Sequence, residues 1–156
     1  MYETGDNVHT IRGDIMNNQE LLSALLKITQ SGQMEIRRIL NTSMDPNLRS
    51  TLQAQLKEFD SMETEALTIA LQRGWDLRSL DPAIRFLTDK AAQIRQMKGY
   101  SDSKIAEIMI HRNTRGMISN LKTLHQYKGQ DSQVCILCQK LLDSETAYTR
   151  RLQSFL

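Results

Sequence analysis

The chain's punctuation constrains its fold more than any other feature. Two Asp-Pro pairs, Asp45-Pro46 and Asp81-Pro82, and three glycines, Gly74, Gly99 and Gly129, cut the apolar pattern into helix-length pieces. Asp accepts from the free amides of a first turn, and Pro at the first helical position gives up no useful donor. Gly permits the left-handed residue that closes a helix. Between these marks apolar residues recur at three and four positions, as in amphipathic helices, and no strand-like alternation occurs. The chain is predicted to be all-α.

Residues 1–18 show no sustained period and read as an N-terminal extension, whereas residues 19–156 read as a single helical domain. A first stripe starts at Gln19, runs through Leu22, Leu25, Leu26, Ile36, Ile39 and Leu40, and ends near Ser43. The second starts at Asp45-Pro46, runs through Leu48, Leu52, Leu56, Phe59, Met62, Ala66, Ile69 and Ala70, and stops at Gly74. So short a connection makes these two helices antiparallel neighbours. Asp81-Pro82 opens a shorter helix through Ile84, Leu87, Ala91 and Ile94 that closes at Gly99. Ser101 and Asp102 then cap a stripe of Ala106, Ile110, Met117, Leu121 and Leu124, flanked by Ile105, Met109 and Ile118 and ending at Gly129. Asp131 caps the last helix, which carries Val134, Cys138, Leu141, Leu142, Thr149 and Leu152. Hairpin, long crossover, hairpin is the connectivity of ferritin-like bundles. The expectation is an up-down-down-up four-helix bundle, with a helical crossover between its second and third helices.

Composition narrows the partners. At 156 residues and 40% hydrophobic content the chain can bury one sizeable core. Its 20 basic and 18 acidic residues are interspersed, which disfavours nucleic acid and anionic membranes as partners. Aromatic residues, at 5%, offer little for base stacking. With only two cysteines, no leader pattern and no apolar run of about 20 residues, a cytoplasmic protein is expected.

Ferritin-like metal proteins place a Glu on each of two helices and a Glu-x-x-His on each of the others, at mid-depth. Carboxylates and imidazoles must therefore interrupt the stripes, because they bridge and complete two cations. Here the interruptions are amides: Gln33 beside Gly32, and Asn113, with Thr114, shortly before Gly116. At a rise of about 1.5 Å per residue, both fall level with Glu58 and Glu145, and Glu63 is an alternative on the second helix. An amide brings no charge to neutralise a cation. Ala66 and Tyr148 stand three residues after Glu63 and Glu145, where the imidazole would be needed. A dinuclear centre is disfavoured, and a buried hydrogen-bonded layer is the simpler expectation. A single metal site is the alternative.

Cys135-Ile136-Leu137-Cys138 lacks the preceding strand of a thioredoxin-like motif. A zinc site could take His125 as a third ligand but has no evident fourth. Core packing of one Cys, with the other at an edge, is expected. His111, next to Arg112 and close to Arg115, reads as part of a solvated face, and Trp75 as a cover over the open end of the core. Arg37-Arg38 and Arg150-Arg151 read as solvated. No nucleophile, base and orienter assemble, so neither catalytic residues nor a cofactor are expected.

The segment Met44-Asp-Pro-Asn-Leu-Arg-Ser-Thr-Leu, continuing to Arg73-Gly74-Trp75, resembles the spore coat protein F family. Members carry a similar Asp/Asn-Pro-x-Leu-Arg start and a Gly-Trp after the helix. Ser101-Asp-Ser-Lys-Ile-Ala-Glu-Ile-Met-Ile is similar to the same family and to other ferritin-like proteins of spore-forming bacteria. The resemblance implies a ferritin-like bundle, a coat or sporulation association, and no enzyme activity. Many relatives keep carboxylates where this chain has Gln33 and Asn113, so no metal ligand is carried over. The expected function is structural, through self-association or a protein partner. The alternative is an iron- or manganese-binding protein using Glu145 with Glu58 or Glu63.

Overall fold

A computed structural model of the protein describes residues 16–77 and 99–156. Among these residues it contains four long α-helices, α1 (Asn18–Ile39), α2 (Pro46–Arg73), α3 (Asp102–Gln126) and α4 (Ser132–Leu152), a final 3-10 turn (Gln153–Phe155) and no strand. The crossover helix expected over residues 81–99, and the extension up to residue 15, lie outside the described residues.

The last three long helices start on the caps their sequence announces, and α1 starts one residue earlier than expected, on an Asn17 cap. The Asn17 side chain accepts from the Glu20 amide at 2.9 Å, and its own amide donates back to the Glu20 carboxylate at 3.0 Å. Asp45 accepts from the amides of Asn47 and Leu48, Ser101 from that of Lys104, and Asp131 from those of Gln133 and Val134. Such caps typically contribute about 1 kcal/mol each. Gly74 closes α2 with φ +67°, a left-handed residue that would strain any side-chain-bearing amino acid.

Helix α3 ends earlier than its glycine predicts, at Gln126 rather than Gly129. Met16 competes there for the backbone: its amide donates to the Gln126 carbonyl at 3.1 Å, and its carbonyl accepts from Lys128 at 3.2 Å. Tyr127 is thereby held extended, and Met16, just ahead of the N-cap of the first helix, is tied to the second hairpin.

Helix α1 packs against α2 and α3, and α4 packs against α3 and α2. Polar contacts mark which ends meet. The Asp45 amide, at the start of α2, donates to Asp102 at the start of α3 at 3.0 Å. Arg73, at the end of α2, grips Asp131 at the start of α4 through two bonds of 2.7 and 3.1 Å. Tyr127, just past α3, donates its hydroxyl to Asn18 at the start of α1. Leu21, Leu25, Leu52, Phe59, Met62, Ile105, Met109 and Leu141 fill the space between the helices.

The core arc of α3 differs from the predicted stripe. Ile118 and Leu121 are 48% and 51% exposed, while Ile105, Ala106, Met109, Arg112, Asn113, Gly116 and Asn120 are buried. The first half of that arc is apolar and the second is small and polar. A reading that follows apolar residues alone slides off the true arc as soon as polar residues occupy it.

Candidate functional site

Arg112 lies in the middle of the bundle, 5% exposed, and the face that the sequence marks as solvated is at this position the core. Its guanidinium donates to the Glu145 carboxylate at 2.9 Å and to the Ile28 backbone carbonyl, and it stands 5.1 Å from the centre of the Phe59 ring. Glu145 is fully buried. Beside the pair, Gln55 donates to the Asn113 side-chain oxygen at 2.8 Å. The three side chains Arg112, Asn113 and Glu145 thus join α3 to α4, Gln55 adds α2, and the Ile28 carbonyl adds α1.

Two glycines make room for this cluster. A Cβ at position 116 would fall within the Glu145 carboxylate, and one at position 32 would lie 2.6 Å from the Phe59 ring and 2.9 Å from Arg112. Gly in a helix interior costs about 0.5–1 kcal/mol relative to Ala, so its presence here answers a spatial demand.

Burial dominates the electrostatics of both partners. It pushes the Glu145 carboxyl up to about 7, against the opposing pull of Arg112, and it lowers Arg112 even though Glu145 supports its charge. Burial thus works against the charged form of each partner, while their mutual contact works for it. Among the described residues, Glu145 Oε1, Gln55 Oε1 and Asn113 Nδ2 are buried without a hydrogen-bond partner.

The residues singled out from sequence are only partly brought together. Asn113 and Glu145 share the cluster, but Gln33, also buried, donates to Asp60 on α2 at 2.8 Å. Glu58 sits at the surface of α2, where it accepts from Ser144 and, at 3.2 Å, from the Tyr148 hydroxyl. Glu63 is half-buried, with one carboxylate oxygen unpartnered among the described residues. Thr114 faces solvent and donates to the Ile110 carbonyl at 2.8 Å. Of the expected layer of Gln33, Asn113 and one or two acids, with Glu58 or Glu63 as the second-helix member beside Glu145, Asn113 and Glu145 meet, and Arg112 and Gln55 complete the cluster. Gln55 was legible, because it continues the spacing of Leu52, Phe59 and Met62, while Leu56 stands at the flank. For Arg112 the available signal was the pair of mid-helix glycines.

A metal does not fit this centre. Glu145 keeps one free oxygen, Oε1, but its Oε2 is engaged by the Arg112 guanidinium, which has no lone pair to offer and repels a cation at that carboxylate. Among the described residues no three of His, Cys, Asp and Glu come together as ligands would. Cys138 is buried, its thiol pushed up to about 12, and Cys135 is half-buried near Tyr127. His125 and His111 are at the surface. Trp75 packs against the core edge with Arg73 5.5 Å from its ring centre.

Among the described residues, fold and site together define an all-α arrangement of four helices with a buried ion pair at its middle. No protein-family model, curated protein or solved structure matches the chain. No described helix is long and apolar enough to cross a membrane.

Proposed function

We propose that this protein is a non-catalytic structural or interaction protein built on a ferritin-like bundle, associated with sporulation or the spore coat. The observation that carries the non-catalytic reading is the Arg112–Glu145 pair, because a fixed internal cation stands at the depth where metal-binding bundles of this connectivity gather carboxylates. The guanidinium supplies the positive charge that a metal would otherwise bring. Three contacts support the up-down-down-up order: Asp45 with Asp102, Arg73 with Asp131, and Tyr127 with Asn18. In that order the chain must travel the length of the bundle between α2 and α3, which is the task assigned to the crossover. The spore-coat association rests on the Asp-Pro-Asn-Leu-Arg and Gly-Trp segments. A partner or a second copy would dock on a bundle face, and the groove between α2 and α4 beside Ile136, 67% exposed, is the apolar candidate.

The competing reading is an iron or manganese protein using Glu145 with Glu58 or Glu63. A cation that binds only the folded state raises the melting temperature. Elemental analysis of untagged protein, with thermal melts before and after anaerobic ferrous or manganous loading, separates the two readings. The expected result is no retained metal and an unchanged melting temperature; stoichiometric metal that is lost in Glu145→Gln would replace the structural reading.

A further inference from the structure

On the outer side of the buried pair, α1 and α3 part to leave a groove of about 330 Å³. Its lining includes Lys27 and Ser31 from α1, and Arg112, Arg115, Gly116 and Ser119 from α3, with no carboxylate among the lining residues. The residues repeat at helical spacing on two antiparallel elements, so three cations and two hydroxyls converge on one recess. Several other surface cations of the bundle are matched: Arg37 by Asp60, Arg73 by Asp131, Lys104 by Glu107 and Lys140 by Glu65. Lys27 and Arg115 have no ion-pair or hydrogen-bond partner among the described residues. Arg115, one turn on from Arg112 along α3, is close enough to disfavour its charge. Arg112 is held rigidly from behind by Glu145 and the Ile28 carbonyl, which leaves its charge preorganised at the base. Two acids act on Arg112 from outside this lining: Glu145, on the core side of Gly116 and already matched to Arg112, and Glu35, which pairs with Arg38.

We propose that this groove binds a small soluble oxyanion of the phosphate class, clamped by Lys27 and Arg115, backed by Arg112 and hydrogen-bonded by Ser31 and Ser119. A compact oxyanion suits the site because its oxygens accept from several converging donors at once. No exposed apolar residue lines the recess, so it offers nothing to anchor a lipid surface. The inference stands independently of the spore-coat reading.

The test is calorimetric titration of inorganic phosphate into the full chain at low ionic strength. The wild type is compared with a Lys27→Ala/Arg115→Ala double variant, both confirmed folded by circular dichroism. Both substitutions are at exposed positions, where replacement usually leaves folding intact. Expected are saturable binding of one phosphate per chain, weakened by about tenfold or more, or about 1.4 kcal/mol, in the double variant. Amide shifts in NMR spectra should be centred on Ser31, Gly116 and Ser119. Absence of binding in the wild type, equal affinity in the double variant, or amide shifts centred elsewhere would each overturn the assignment.

Discussion

At the scale of single residues, the Arg112–Glu145 pair decides most of what is unusual in this core. Removing one partner of a buried ion pair leaves an uncompensated charge, whereas replacing both with apolar groups of similar volume is often neutral or stabilising. Arg112→Ala is therefore expected to lower unfolding free energy by about 3–5 kcal/mol. Arg112→Met combined with Glu145→Leu should recover most of that loss, as read from urea unfolding. The pH dependence has a definite sign. Burial raises the folded-state pKa of Glu145 from an ordinary carboxyl value to about 7, so the folded protein holds this proton more tightly than the unfolded chain. The stability linked to that proton is complete below the ordinary carboxyl range, near pH 4.5, and is lost as pH rises through about 7. Unfolding of wild type and Glu145→Gln between pH 4 and 8 should show wild-type stability falling relative to the variant as pH rises, then levelling off. The difference isolates Glu145, because Arg112, Arg115 and Glu35 are common to both proteins.

At the scale of elements, α1 and α3 are shaped by what they leave out. Gly32 and Gly116 sit in helix interiors where Ala would ordinarily help, yet a Cβ at either place meets Phe59, Arg112 or Glu145. Overpacking of this kind typically costs about 1–3 kcal/mol, so Gly32→Ala and Gly116→Ala should each lower the melting temperature. Helical propensity alone predicts the opposite sign. The second half of α3 is the element least explained by apolar periodicity. Asn120 donates to the Cys138 carbonyl at 2.9 Å, so α3 is fastened to α4 there through a polar bond to the backbone rather than through an apolar ridge. Ile118 and Leu121 are left outside as a consequence.

At the scale of the whole molecule, the arrangement is two hairpins pinned at both ends, by Asp45 with Asp102 and by Arg73 with Asp131. Self-association through the α2–α4 groove is expected to give a sedimenting species heavier than the 17.9 kDa chain, and Ile136→Glu should reduce it to a monomer. A wild-type monomer in that measurement would turn the interaction reading toward a different protein partner. The sequence by itself determined the helices, because caps and stops act within one turn: Asp45-Pro46, Gly74, Ser101 and Asp131 needed no distant partner to be read. It also determined that Asn113 and Glu145 lie at mid-depth, since rise per residue is a local quantity. Only the tertiary structure decided that Arg112 points inward, that Gln33 turns to Asp60, that Glu58 turns to Ser144 and Tyr148, and that α3 yields its last turn to Met16. Each of those outcomes depends on the charge, space or hydrogen-bond capacity of a residue far away in the chain, and periodicity along a single helix carries no record of it.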